Sequence, residues 1–348
     1  VVRRVREGEQ AAPDTIFSYA PRLEPIRKGL AGLLGCDAEE IAITRNATES
    51  LNAVLLGVPL RAGDEVLTTT LDYWAMLDAL EQRAGRDGVV VRKLRIPTPV
   101  NDLQQIAAVF ERAMTPRTKL ILISHPVNLN GQLMPVREIS AMAHARGAEV
   151  VVDAAQSFGL LEYRIGDLGC DYLGTSLHKW LQAPKGTGML YVRRDKIEKT
   201  WPLIAAGSTR KREDIRKFEL YGTWPETILA LEEALAFHET LGGARKEARH
   251  RELTRQWMEA VKGVAGLRFH TPLERQASCG IACIELEGLA APALRQWLRQ
   301  ERRIVTMDVT RRTSEFAGVR ISPGLSNTKA EMEALGSALR DARRALAG

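Results

Sequence analysis

Short apolar runs alternate with stretches of helical period along the first two-thirds of the chain. EIAIT, beginning at Glu40, is followed by TESLNAVLLGV, and DEVLTTT by YWAMLDALEQRAG. VVVRKLRI leads to NDLQQIAAVFERAM, KLILISH to VREISAMAHARG, and EVVVDAA comes next. The β-branched and aliphatic runs are strands, and the patterns with apolar positions three and four apart are helices. Asn101 or Asp102 is placed to cap the third of these helices, and Gly147 stands where a helix C-terminus takes positive φ. The alternation predicts an α/β domain with a largely parallel sheet flanked by helices on both faces. In such sheets ligands bind beyond the carboxyl ends of the strands.

From about Gly242 the rhythm changes. A long helical stretch, ARKEARHRELTRQWMEAVKG, precedes strand-like LRFH, GIACIELEG, RIVTMDV and GVRIS. A helix separates the second and third of these, and another closes the chain. The prediction is a large α/β domain over 15–242 and a smaller α+β domain over 243–348. Gly242 and Gly243 mark the hinge region, and residues 1–14 are expected to pack with the small domain.

Composition narrows the classes. With 348 residues, 45% hydrophobic and 26% charged, the chain can bury a sizeable core. Its net charge of +6 is scattered among acids, so STRKREDIRK and LRQERRI read as solvated faces and not as a nucleic-acid stripe. No apolar run approaches the ~18 residues of a membrane span. The four cysteines are too few for a disulfide framework. CGIAC puts Cys279 and Cys283 on one strand face as small buried residues, and no second Cys/His pair accompanies them as metal ligands. The chain opens on VVRRVREGEQ without Met, so any targeting segment is outside what the letters show; the expected location is the cytoplasm.

Three pieces carry candidate chemistry. Asp153 ends the run EVVVD, so it emerges at the carboxyl edge of a central strand; read alone, it is an Asp capping a turn. TRNATESLN turns from strand to helix through small and hydroxyl residues, where free amides and the Thr48 hydroxyl suit a phosphate dianion. A plain N-cap with Glu49 in the first turn explains the same letters. TSLHKWLQAPKGTG holds Lys179 between His178 and Trp180, which points to a desolvated amine with a depressed pKa, as imine chemistry requires. Lys185, after Pro184, is a turn residue. The Walker spacing fails in this segment, and the loop after EIAIT has no glycine until Gly57, which excludes a nicotinamide fingerprint. Anion site, strand-end carboxylate and amine together suit pyridoxal phosphate: phosphate at the helix N-terminus, Asp153 on the pyridinium nitrogen, Lys179 in Schiff-base linkage.

The chain resembles the class V aminotransferase family of fold-type I pyridoxal phosphate-dependent transferases over residues 15–345. The specific pieces are ISHPVNLNGQLMPV, VVDAAQS, SLHKWLQAPKGTGMLYV, FELYGT and VRISPGLSNT. HKWLQAPKGTG looks like the isopenicillin N epimerase-like branch, beside the cysteine desulfurase-like one. The resemblance implies that Ala47 (through its backbone), Thr48, Ser176 and His178 bind the phosphate. It implies that Tyr73 stacks on the ring, that Asn128 and Gln156 hydrogen-bond near the phenolic oxygen and imine, and that Asp153 and Lys179 act as above. Arg320 grips the substrate carboxylate. Thr223 reaches the phosphate of a neighbouring subunit, which implies a homodimer with shared sites acting on a small amino-acid substrate.

Two departures qualify the resemblance. The upstream segment with Asn and Gly that lines the substrate side in the family has no counterpart in these letters. TMDVTRRTSEFAG, where desulfurases carry a loop cysteine, has none, which disfavours thiol-mediated desulfuration. Arg311 and Arg312 in that loop either meet an anionic part of a substrate or face water. The expected activity is at Cα of an amino acid, of aminotransferase or epimerase type. A β-lyase on a sulfur- or selenium-containing amino acid is the second reading, and a non-catalytic binding module is the reading from another class.

Overall fold

A computed structural model describes residues 2, 6, 20–205, 211–219 and 225–346. The chain divides into two compact units. One comprises Val1–Leu94, Ala107–His125 and Pro135–Gly243, the other Arg95–Ile106, Pro126–Met134 and Ala244–Gly348. Of residues 1–14, expected beside the small domain, all but 2 and 6 lie outside the described residues.

Up to Leu241 strands and helices alternate as α1 (Ala20–Leu34), β1 (Ile41–Thr44), α2 (Ala47–Gly57), β2 (Glu65–Thr69), α3 (Trp74–Asp87) and β3 (Val90–Leu94). There follow α4 (Gln104–Ala113), β4 (Thr118–Ser124), α5 (Val136–Ala145), β5 (Glu149–Asp153), α6 (Ile165–Leu168) and β6 (Tyr172–Ser176). The series ends with β7 (Gly188–Val192), α7 (Arg194–Ile197), α8 (Pro225–Leu229) and α9 (Leu231–Leu241). Strands β1 to β7 form one sheet in the order β1-β7-β6-β5-β4-β2-β3. β7 alone runs against the others, pairing antiparallel with both β6 and β1.

The central strands are buried on both faces, which is why they read as unbroken apolar runs: Leu120 to Ile123 in β4 and Val150 to Val152 in β5 are all shielded from water. Each such Leu, Ile or Val contributes ~1.5–3 kcal/mol through burial. One face packs on α2 and α3 through Leu51, Leu55, Met76 and Leu80. At the far edge β3 is partly exposed. Asp102 caps α4 by accepting from the Gln104 amide at 3.0 Å, and Gly147 follows α5 with φ of +71°.

The second unit contains α10 (Gly243–Ala260), β8 (Leu267–Phe269), β9 (Ala282–Leu286), α11 (Ala291–Arg302), β10 (Met307–Asp308), β11 (Val319–Ile321) and α12 (Lys329–Leu346). Its sheet is antiparallel, in the order β10-β11-β9-β8, over a core with Leu253, Trp257, Ile284, Leu294 and Leu339. The run RIVTMDV yields only a two-residue strand. Arg303 turns left-handed (φ +57°) to end α11, and the Ile304 amide still bonds back to Leu298, so the chain reaches the sheet late. Cys279 precedes β9, so it does not share a strand face with Cys283, although both are buried.

Candidate active site

β4, β5 and β6 end side by side, with Ser124 opposite Asp153 and Asp153 opposite Gly174. Asp153 is buried there, and its Oδ1 accepts the Ala155 amide at 3.0 Å. Burial pushes its pKa up to about 6, with nearby Asp72 adding to the rise; the charge of Lys179 and the Ala155 amide pull against it. The carboxylate of Asp72 is held by the hydroxyls of Thr68 and Thr69 and by the amides of Thr69 and Ser124, at 2.7–3.0 Å.

Sequence reasoning passed over Asp72 and also over His125, which follows β4 directly. The His125 amide bonds to the Asp153 carbonyl at 2.8 Å, and its ring meets Tyr163 edge-on with centroids 6.1 Å apart. Burial drops its pKa to about 4, and Nδ1 has no hydrogen-bond partner. The available signal was position: a histidine directly after the apolar run KLILIS must emerge on the same rim as Asp153.

Lys179 lies three residues beyond the end of β6, on the rim that carries Asp153, and its charge is felt by that carboxylate. Contrary to the expected desolvation, Lys179 is exposed. Its flanking rings are committed elsewhere: Trp180 Nε1 donates to Gln156 Oε1 at 2.8 Å, and His178 Nδ1 lies 3.4 Å from the Thr187 carbonyl. Burial lowers the pKa of His178, and the charges of Lys179 and Lys185 add to this, although the Thr187 carbonyl opposes it. Lys185 sits exposed in a turn, as its letters imply. With Trp180 on its oxygen, Gln156 keeps its amide NH2 for donation.

The start of α2 forms the second part of the site. Asn46 caps the helix, accepting from the Glu49 amide at 2.9 Å, and Gly188 of β7 makes room for it: a Cβ there would stand 2.5 Å from Asn46 N. The Ala47 amide, expected on the phosphate, instead donates to Ser176 Oγ at 2.9 Å. This moves the role outward. Ser176 spends a lone pair on Ala47 and retains its own proton for an anion, while Thr48 presents its amide and hydroxyl at an exposed first turn. Tyr73 is half-buried at the start of α3, against the core and 5.4 Å from the Trp74 ring.

In the second unit, Arg320 of β11 donates from an Nη to the Asn128 carbonyl at 2.8 Å. Its Nε is buried without a partner, as is Asn128 Oδ1, and burial lowers the guanidinium pKa. An unsatisfied guanidinium nitrogen shut away from water suits a carboxylate, which would accept from it. Thr223 lies outside the described residues. Among the described residues no cluster of three or more His, Cys, Asp or Glu could hold a metal ion, and no helix is long and apolar enough to cross a membrane.

Comparison with known proteins gives a consistent result. The family model for aminotransferase class V matches residues 13–335. An isopenicillin N epimerase of Amycolatopsis lactamdurans is 32% identical, over 97% of this chain and 89% of its own. A probable cysteine desulfurase of Mycobacterium leprae is 28% identical, over 89% and 78%. Among solved structures, a cystine C–S lyase in complex with its product cysteine persulfide superimposes with a TM-score of 0.86. It has 23% identity, covering 98% of this chain and 92% of that one, and so shares the fold.

Proposed function

The chain belongs to the class V aminotransferase family of pyridoxal phosphate-dependent enzymes, and within it we propose a reaction at Cα of an amino acid, of aminotransferase or epimerase type. The observation that carries this reading is the pairing of a buried, proton-hungry Asp153 with Lys179 on one sheet rim. A carboxyl that burial drives toward neutrality is stabilised by a cation beside it, and a protonated ring nitrogen is such a cation. The residues therefore fit the cofactor. Thr48, Ser176 and His178 would hold its phosphate, Tyr73 its ring, Asn128 and Gln156 its oxygen side, and Lys179 its aldehyde carbon. When bound, the cofactor supplies an electron sink for a carbanion at Cα. Lys179 Nζ then moves the Cα proton, and Arg320 orients the substrate through its carboxylate.

Relatives named cysteine desulfurases raise the thiol-mediated alternative. Each of the four thiols argues against it. Burial raises the pKa of Cys36, Cys279 and Cys283 to about 12 and that of Cys170 further. A thiolate nucleophile at neutral pH needs the opposite shift. A β-lyase reaction that uses no protein thiol remains the second reading, favoured by the fold shared with the cystine lyase. Thr223 carries the proposal of a homodimer.

Borohydride reduction of the yellow cofactor-loaded protein, followed by peptide mapping, is expected to fix the label on Lys179; a label on Lys185 or none overturns the assignment. Over a panel of amino acids, solvent exchange at Cα without keto acid or sulfide release marks an epimerase. Keto acid marks an aminotransferase. Sulfide or pyruvate from cystine or cysteine returns the lyase.

A further inference from the structure

One side-chain hydrogen bond ties together the two loops that carry Asp153 and Lys179. Gln156 lies three residues past the end of β5, and Trp180 lies four past the end of β6, the strand paired with β5. The Trp180 indole reaches across and donates to Gln156 Oε1 at 2.8 Å. Both side chains are half-buried.

The backbone places Trp180 without help from this bond. Gly159 (φ +81°) packs on the second loop, where a Cβ would stand 2.8 Å from Leu181 N and 2.9 Å from the Trp180 carbonyl carbon. The Leu177 amide bonds to the Thr187 carbonyl, the Ala183 amide closes back on the Leu177 carbonyl at 3.1 Å, and Gln182 makes the turn with φ of +64°. The indole is thus a fixed donor, and the group free to choose is the Gln156 amide. An indole has an N–H and no acceptor. Gln156 can meet it with oxygen alone, because the amide turned over would set N–H against N–H. Among the described residues the Gln156 NH2 makes no hydrogen bond. The orientation of the amide is therefore selected by Trp180, and its two donors are left for the other side.

We propose that Trp180 is a positioning residue: its indole holds Gln156 so that the phenolic oxygen of the cofactor meets N–H donors and not a carbonyl. This rests on the reading that Gln156 lies on the oxygen side of the ring. A donor there stabilises the ionised oxygen, whereas a carbonyl would repel it. The ionised form absorbs in the visible and the protonated form in the near ultraviolet, so the orientation of one amide is readable as colour.

Cofactor-free protein, W180F, Q156L and the double variant are titrated with pyridoxal phosphate, and the bound spectrum is recorded over pH. W180F keeps an aromatic ring and removes the N–H. It is expected to weaken binding by ~3–10-fold, the order of one hydrogen bond, and to move absorbance from the yellow band toward the near ultraviolet. Q156L should do the same, and adding W180F to Q156L should cost no more than about twofold again. A Q156L protein that binds and absorbs like the parent removes Gln156 from the ring and takes the proposal with it. An altered Q156L beside an unchanged W180F, or a W180F loss as large with Q156L as without, overturns the proposal alone. If W180F does not fold, exchange of the Trp180 indole proton in nitrogen-labelled, cofactor-free protein decides, with exposed Trp201 as the reference. Protection that is lost in Q156L together with the yellow band supports the proposal, and exchange as fast as that of Trp201 overturns it.

Discussion

Asp153 is ionised at a cost. Its strand ends where water does not reach, and burial moves its pKa from 3.8 to about 6. A folded-state carboxyl pKa above the unfolded one means the native state holds its proton more tightly, so stability is lost as pH rises from about 4 through 6. Asp153→Asn is therefore expected to stabilise the cofactor-free protein by about 1–3 kcal/mol at pH 8. The gain should vanish below pH 4, while the variant loses its function with the cofactor. Urea unfolding at the two pH values checks this, and a gain that persists at pH 4 contradicts it. The position of Asp153 was legible because a charged residue ends an apolar run. The state of Lys179 was not: its neighbours His178 and Trp180 pointed to a desolvated amine, whereas in the fold Lys179 is exposed and the two rings hydrogen-bond to Thr187 and Gln156.

Helix α2 is the element that sets the anion site, and it is fixed at both ends. Its start leans on Gly188 and Ser176. Its last carbonyls are gathered by Arg83 of α3, whose guanidinium donates to Leu55, Leu56 and Val58 at 2.8–3.1 Å. Helix ends leave such carbonyls unpaired, so a buried arginine acts as a distant cap. Arg83→Ala is expected to cost about 2–4 kcal/mol and to weaken cofactor binding as the helix loosens. An unchanged melting temperature would show that α2 does not depend on this grip. The helix itself was readable from TESLNAVLLGV. The grip was not, because a lone arginine in YWAMLDALEQRAG carries the same letters whether it meets carbonyls or water.

Across the whole molecule, two histidines oppose acid. Burial lowers His125 in the first unit and His250 in the second to about 4, well under the ordinary 6.5. Each stabilises the fold fully above pH 6.5 and loses that contribution, up to about 3 kcal/mol, as pH falls toward 4. Asp153 works in the other direction over an overlapping range. The net expectation is a protein that weakens between pH 6.5 and 4. His125→Gln and His250→Gln should each flatten that slope whatever they do to stability at neutral pH, and unchanged slopes in both would remove histidine burial as the cause.

Strand and helix periods, turn glycines and the strand-end acid are local properties, and the chain alone determined them: the alternating α/β part, the smaller α+β part, Asp153 and Lys179 on a common rim, and a capped helix fit for an anion. Tertiary structure decided what depends on distant partners. It reversed β7 so that Gly188 could admit Asn46, placed Ser176 between the Ala47 amide and the site, buried His125 and Asp72 beside Asp153, and brought the Trp180 indole onto Gln156. Periodicity is written in neighbours along the chain, whereas burial, hydrogen-bond choice and the meeting of like charges depend on residues that only folding brings together.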